Sequence, residues 1–187
     1  MEGGGDRRIA MDAESVVEIL ELLERASVRV WVHGGWGVDA LLGHQNREHS
    51  DLDVILNVSD ASSLASTLAA AGFERLSGGT AQNFVMADER SREVDAHLVE
   101  FDDRGYGAFQ ESDGRRWPLP PSAFAGEGTI ASRQVRCLSP EAEVHCHSHG
   151  YEPAEKDLQD MERLQDRFGV VLPLSLCRQR PGGSPAA

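Results

Sequence analysis

The 187-residue sequence is poor in cysteine, in basic residues and in long apolar runs. Its three cysteines are too few and too widely spaced for a disulfide framework, so a reducing, cytoplasmic setting is expected. No apolar stretch approaches the roughly 18–20 residues that span a bilayer, so we expect no membrane partner. The N-terminal stretch MEGGGDRRIAMDAES has no apolar core and does not predict a secretory signal.

Basic side chains are few: 18 Lys and Arg stand against 31 Asp and Glu, which gives a net charge of −13. Such a field repels the phosphates of nucleic acid and argues against an enzyme that grips a nucleic-acid primer. It suits a cationic or neutral small-molecule partner, with metal ions to offset the charge of any bound nucleotide. Solubility alone accounts for the charge equally well.

Hydrophobic periodicity and turn residues predict an α/β (α+β) fold in which helices pack on a small mixed sheet. The predicted helices cover residues 12–25, 36–42, 59–71, 140–147 and 153–168, and the predicted strands cover 28–32, 52–56, 84–86 and 94–99. Residues 101–135 are rich in Gly, Pro and Asp and predict only short strands. We expect a flexible N-terminus (1–10), one α/β domain (11–137), a helical C-terminal part (138–177) and a disordered tail (178–187).

Three aspartates on two predicted strands are the main chemical feature of the sequence. Alternate side chains on a strand share a face, so Asp51 and Asp53 point the same way, about 6–7 Å apart. Two such carboxylates repel each other unless a cation lies between them, and Mg²⁺ is commonly held by one or two carboxylates together with substrate phosphates. Asp95 offers a third carboxylate on another strand, between the apolar Val94 and Ala96.

The glycine pair Gly34-Gly35 supplies the complementary part. Because glycine has no Cβ atom, its backbone N–H groups can approach a phosphate closely. The helix that follows, predicted to start near Trp36, points its positive end at the same anion. The ordered set therefore predicts a phosphate cradle beside a metal-binding carboxylate pair, although each part alone is a weak signal.

On these residues the sequence resembles the small antibiotic nucleotidyltransferases. The stretches GGWGVD (34–39) and REHSDLD (47–53) carry the resemblance, which is strongest to the lincosamide nucleotidyltransferases and next to the aminoglycoside 2″-nucleotidyltransferases. DAH (95–97), VRCLS (135–139) and the stretch 150–164 are similar as well, so the resemblance covers about residues 15–165. It implies the nucleotidyltransferase fold, with 11–137 as the nucleotidyltransferase domain.

The resemblance implies transfer of a nucleoside monophosphate from a nucleoside triphosphate to a hydroxyl of an antibiotic, with release of pyrophosphate. It also implies ATP, the usual donor of the family, as the triphosphate. Asp51 and Asp53 would hold Mg²⁺ that bridges the triphosphate. Asp95 would either complete the metal site or take the proton of the hydroxyl, and both roles stay open. Gly34 and Gly35 would cradle the phosphates.

Further residues are candidates for substrate contact. Arg47 and His49 would contact phosphate, against the alternative of a solvated loop. His97 shares the face of Asp95 and would orient it or contact the acceptor, with a core histidine equally expected. Four residues near the start of the last helix are candidates for substrate contact: Tyr151, Lys156, Asp157 and Asp160. The alternative is that they form a solvated helix face.

Other features are expected to be structural. We expect Asp39 to bond the following loop and Trp36 to belong to the core. The tract from His145 to His149 resembles a transition-metal sequence, but no second cluster offers partner ligands at finger spacing. A homodimer that completes a shallow pocket is consistent with so small a fold.

The acceptor is open at this stage. Asp95-x-His97 favours a lincosamide, and an aminoglycoside is the first alternative. Modification of a protein hydroxyl, as in toxin–antitoxin nucleotidyltransferases, predicts an exposed apolar docking patch, which the sequence does not show. A non-catalytic nucleotide-binding module is disfavoured because all three carboxylates are present.

Overall fold

Five α-helices and nine strands make up the described part of the chain, residues 10–80, 82–110, 116–149 and 152–177 of a computed structural model. The helices are α1 (Ala13–Arg25), α2 (Gly34–Leu42), α3 (Ala61–Ala70), α4 (Pro140–His147) and α5 (Glu155–Phe168). The strands are β1 (Val30–His33), β2 (Asp51–Asn57), β3 (Glu74–Arg75), β4 (Asn83–Ala87), β5 (Glu93–Phe101), β6 (Gly107–Gln110), β7 (Arg116–Leu119), β8 (Gly126–Ile130) and β9 (Arg133–Cys137).

The strands form one mixed sheet in the order β3-β4-β5-β2-β1-β9-β8, and the β6–β7 hairpin pairs with the end of β5. Strand β2 lies at its centre, antiparallel to β1 and parallel to β5. Helices packed on a mixed sheet confirm the predicted fold class. None of the helices in the described residues has the length and apolar character needed to cross a membrane.

Alternation along β2 separates the core from the opposite face of the sheet. Leu52, Val54 and Leu56 are fully buried in a core with apolar residues of α1 and α3. Asp51 and Asp53 therefore lie on the opposite face. Further along this face, Ile55 enters a second apolar cluster.

The ends of three helices are set by residues close to them in sequence. Asp12 caps α1 by accepting a hydrogen bond from the Ser15 backbone N–H at 2.7 Å. Ser139 caps α4, which begins at Pro140 as predicted. Gly43 ends α2 in a left-handed conformation, with φ +78°. Each cap satisfies backbone groups that a helix end leaves unpaired.

The start of one helix differs from the sequence prediction. The helix after β1 begins at Gly34, not near Trp36, so the glycine pair is the first turn of α2 instead of a separate turn before it. Gly34 adopts φ +65°, which lets the chain turn from strand to helix without a linker. The segment 101–135 is expected to hold short strands, and β6 to β9 are short. Of these, β8 and β9 form a hairpin that extends the main sheet.

The C-terminal helices α4 and α5 pack on α2. Apolar residues of these elements and of the following segment form a third buried cluster, which comprises Val38, Val144, Met161, Leu164, Val170 and Leu176. The division into parts 11–137 and 138–177 stays a prediction. The expected flexible N-terminus and disordered tail lie outside the described residues, except for residue 10.

Candidate active site

The register of the central strands brings the predicted carboxylates together. Asp53 on β2 is directly opposite Asp95 on β5, and His33 on β1 is opposite Asp53. Because opposite residues of neighbouring strands share a face, these three side chains form a row across the sheet. Asp51 lies one step along β2, opposite Glu93.

A cleft opens beside this row. Asp51, Glu93 and Asp95 line a cavity of about 280 Å³, and residues 76–79 and Val85 line it as well. Three carboxylates thus face a space of small-molecule size.

The carboxylates Asp53 and Asp95 differ in their affinity for protons. Burial raises the pKa of Asp95; the charge of His97 opposes this effect, and the charges of Asp53 and Asp51 add to it. Burial also acts to raise the pKa of Asp53, but a hydrogen bond from His97 and the charges of His33 and His97 lower it overall. Asp53 is therefore held as a carboxylate, whereas Asp95 has the greater proton affinity.

Hydrogen bonding around the two aspartates agrees with this difference. His97 Nε2 lies 3.3 Å from Asp53 Oδ1 and 3.7 Å from Asp95 Oδ2. The buried Oδ1 atom of Asp95 has no hydrogen-bond partner among the described residues. One buried carboxylate oxygen of the pair thus has no donor from the described part of the protein. His97 thus lies next to both carboxylates, while its role in orienting Asp95 or contacting an acceptor stays a prediction.

A buried glutamate, Glu143, stands behind the row, and the sequence pattern did not single it out. Its side chain is fully buried, and Oε2 lies 3.4 Å from His33 Nδ1 and accepts a hydrogen bond from the Gly34 N–H at 3.2 Å. His147, one helical turn later on α4, lies 3.7 Å from the same oxygen. The available signal was the spacing of Glu143 and His147, which share a helix face four residues apart.

His33 is cationic in this setting. Burial lowers the pKa of His33, but the hydrogen bond with Glu143 and the charges of Glu143, Asp53 and Asp95 outweigh it and raise the pKa to about 9. His33 therefore supplies positive charge among carboxylates that would otherwise repel each other.

Close approach explains why the α2 start contains two glycines. A Cβ atom on Gly34 would overlap the Asp53 carboxylate, and one on Gly35 would overlap the His49 ring and the Arg47 guanidinium. The glycine pair therefore lets the backbone lie directly against these side chains. Glu143 takes the N–H of Gly34 that the sequence assigned to phosphate.

Asp39 on α2 holds the loop before β2 through contacts with Asn46 and His49. His49 is 4% exposed, and its Nε2 lies 2.5 Å from Asp39 Oδ2. The other Asp39 oxygen accepts hydrogen bonds from the backbone and side chain of Asn46, which confirms the expected bond to the loop. Trp36 is buried, as expected, and its ring lies 4.7 Å from that of His49. His49 thus supports Gly35 from the protein side, and its predicted phosphate contact is untested.

The candidates on α5 have partners inside the protein. Asp160 is fully buried; its Oδ2 lies 2.9 Å from the Arg47 guanidinium, and its Oδ1 lies 3.1 Å from that of Arg163. Asp157 accepts a hydrogen bond from the Ala154 N–H at 2.8 Å and so caps α5. Lys156 is exposed, and Tyr151 lies outside the described residues. Substrate contact by Arg47 and these α5 residues stays a prediction.

The histidine tract on α4 divides between two surroundings. His145 and His149 stack on Trp117, with ring centroids 4.5 and 4.7 Å away, whereas His147 lies next to Glu143. The described residues contain one group of three or more side chains close enough to share a metal ion, and it is His33, Asp53 and His97. The tract does not form such a group.

Comparison with known proteins adds to this geometry. The sequence profile of the family described as aminoglycoside-2″-adenylyltransferase matches residues 15–164. The lincosamide resistance protein of Staphylococcus haemolyticus is 29% identical over 147 residues, which cover 79% of this chain and 90% of that protein. The 2″-aminoglycoside nucleotidyltransferase of Klebsiella pneumoniae is 30% identical over 138 residues, which cover 71% and 72% of the two chains.

Two solved structures have the same fold. The lincomycin-bound lincosamide antibiotic adenylyltransferase LnuA superposes with a TM-score of 0.75 at 27% identity, over 84% of this chain and 98% of that one. ANT(2″)-Ia in complex with adenylyl-2″-tobramycin has a TM-score of 0.67 at 20% identity, over 84% and 89% of the chains, and supports the fold alone. The chain has the nucleotidyltransferase fold and belongs to the aminoglycoside-2″-adenylyltransferase family.

Proposed function

We propose that this protein transfers a nucleoside monophosphate from a nucleoside triphosphate to a hydroxyl group of a lincosamide antibiotic and releases pyrophosphate. ATP is the proposed preferred donor. One observation carries the proposal: Asp53 and Asp95 stand in register on neighbouring strands, and Asp53 lies directly against Gly34 at the start of α2, in a chain of this family. The reaction needs carboxylates for metal ions beside a group that attracts phosphates, and α2 brings the positive end of a helix to the carboxylates even though the Gly34 N–H itself is bonded to Glu143.

The carboxylate row fits a hard divalent cation. Asp51, Asp53 and Asp95 offer oxygen donors on one face, although they lie farther apart than the group of His33, Asp53 and His97. Asp95 Oδ1 has no donor from the described part of the protein. The mutual repulsion that raises the pKa of Asp95 is relieved by a cation. Mg²⁺, when bound, supplies charge neutralisation at the phosphate oxygens.

Asp95 is the residue that we assign to proton removal from the acceptor hydroxyl. Its pKa is raised by burial and by its acidic neighbours, and one of its oxygens is free of protein donors. A general base works best when its pKa approaches the operating pH. Asp53, whose pKa is lowered, is the more suitable permanent metal ligand.

The acidic cleft suits the amine that both candidate antibiotic classes carry. Asp51, Glu93 and Asp95 line it, so a cationic group of the acceptor lies near carboxylates while its hydroxyl approaches Asp95. Lincosamides are favoured because the lincosamide resistance protein matches this chain over 90% of its own length, and because the LnuA structure is similar over 98% of its chain.

An aminoglycoside acceptor is the second candidate. The matching family is described by that activity, and the aminoglycoside enzyme of Klebsiella pneumoniae is 30% identical to this chain. The net charge of −13 also suits a polycationic acceptor.

Pyrophosphate release tests the proposal. The purified protein is incubated with Mg²⁺ and each of the four ribonucleoside triphosphates, with lincomycin, clindamycin, tobramycin or no acceptor. We expect release that depends on a lincosamide and is fastest with ATP, a lincosamide product heavier by one nucleoside monophosphate, and no release in excess EDTA. Release with tobramycin alone would establish the second candidate, and no acceptor-dependent release would overturn both.

A further inference from the structure

Two histidines, His33 and His97, lie next to Asp53 and offer nitrogen ligands that a magnesium site does not need. His33, Asp53 and His97 each offer a ligand atom, and these atoms lie within 4.8 Å of one another. Their side chains are partly exposed, at 15%, 26% and 26% respectively, so an ion from solvent can reach them. Asp95 Oδ2 lies 3.7 Å from His97 Nε2 but is outside this group of three.

Glu143 prepares His33 as a ligand. Its Oε2 engages the Nδ1 atom of His33, and this leaves Nε2 as the free ring nitrogen. Glu143 is itself fixed, because it is fully buried and also accepts the Gly34 N–H. A carboxylate behind a histidine is the usual arrangement in transition-metal sites, where it sets the tautomer and the ring orientation.

The donor set decides which cations it favours. Mg²⁺ takes oxygen ligands in a near-octahedral shell, whereas imidazole nitrogen together with carboxylate suits Zn²⁺ and its neighbours in the first transition series. Two imidazoles and a carboxylate with an open position are a common ligand set for Zn²⁺. We propose that His33, Asp53 and His97, supported by Glu143, form a binding site for a divalent transition-metal ion such as Zn²⁺.

This site shares Asp53 with the proposed magnesium site. A transition-metal ion bound there removes a carboxylate that the nucleotidyl transfer needs, so Zn²⁺ competes with Mg²⁺. Because an imidazole must be neutral to bind a metal ion, the ion also displaces any proton held by the two histidines. The competition rests on the proposed function, whereas the binding does not.

Direct binding tests the site without reference to activity. The metal-free protein is titrated with Zn²⁺ by calorimetry and with Co²⁺ by visible absorption. We expect one tight Zn²⁺ per chain, and Co²⁺ bands that Zn²⁺ removes. His33→Asn and His97→Asn should each weaken Zn²⁺ binding at least about tenfold, and Glu143→Gln should weaken it about tenfold through His33. Circular dichroism of each variant establishes that it is folded, and two independent histidine variants guard against loss of one of them.

Matched controls address the other metal-type side chains. His145→Ala combined with His149→Ala removes surface imidazoles of the α4 tract, and Cys177→Ser removes the exposed thiol. Both should leave Zn²⁺ affinity unchanged. Absence of tight binding, or binding lost in these controls and kept in His33→Asn and His97→Asn, would overturn the proposed site. Inhibition of pyrophosphate release by Zn²⁺ that excess Mg²⁺ relieves is expected; tight binding without such inhibition would disprove the sharing of Asp53.

Discussion

Replacement of Gly34 by alanine should damage the active site more than it damages the fold. Gly34 has φ +65°, and a Cβ atom there would overlap the Asp53 carboxylate. Two separate costs follow: the backbone conformation is unfavourable for an L-residue, and Asp53 must move. Gly43 offers a matched control at the other end of α2, because it has φ +78° and its Cβ would lie 3.6 Å from the nearest atom, Thr129 Oγ1.

The magnitudes separate the two effects. The left-handed conformation costs an L-residue about 1–2 kcal/mol, a cost that both variants carry. Overpacking against Asp53 adds about 1–3 kcal/mol in Gly34→Ala alone. Displacement of a reacting group by about 1 Å can lower the rate about 100-fold. We therefore expect Gly34→Ala to lose about 2–5 kcal/mol of stability and about 100-fold in activity.

Urea unfolding and lincomycin-dependent pyrophosphate release measure the two quantities on the same preparations. Gly43→Ala should lose about 1–2 kcal/mol and keep its activity within about threefold of the unsubstituted protein. Equal activity of the two variants would refute the reasoning, because it would mean that the contact between Gly34 and Asp53 has no role in positioning the carboxylate.

Two further predictions concern the buried contact between Asp39 and His49 and the raised pKa of His33. Asp39→Ala should destabilise the protein by about 1–3 kcal/mol in urea unfolding, because it leaves the buried His49 ring without its hydrogen-bond partner; exposed Asp103→Ala should change stability by less than about 0.5 kcal/mol, and equal effects would contradict the assigned role. In EDTA, His33 should stabilise the fold fully below its unfolded pKa of 6.5 and lose this contribution as the pH rises through about 9, a difference of about 3 kcal/mol. His33→Asn should flatten the fall in stability between about pH 6.5 and 9, and an unchanged slope would show that His33 does not carry the raised pKa.

Local signals predicted much of the fold. The predicted helices at 12–25 and 140–147 match α1 and α4 closely, since the ends of a helix depend on residues close in sequence. Strand alternation placed Asp51 and Asp53 on one face. The β8–β9 hairpin was not placed, because its pairing with the sheet depends on contacts distant in sequence.

The site was predictable only where neighbours in sequence define it. Glu143 lies 110 positions from His33, so no spacing along the chain could join these two residues. The same limit applies to the ion pair between Asp160 and Arg47, because Arg47 lies in the loop before β2, 113 positions away. The register of β2 and β5, which sets Asp53 opposite Asp95, likewise depends on the assembled sheet.

The effect of Asp53→Asn on pyrophosphate release tests most directly whether the carboxylate row carries the reaction. The substitution keeps the size of the side chain and removes the charge, and the exposed Asp103→Asn is its control. We expect release with Mg²⁺, ATP and lincomycin to fall about 100- to 1000-fold while the thermal midpoint stays near that of the control. A folded Asp53→Asn protein that releases pyrophosphate within about twofold of the unsubstituted rate would contradict the assignment of the active site.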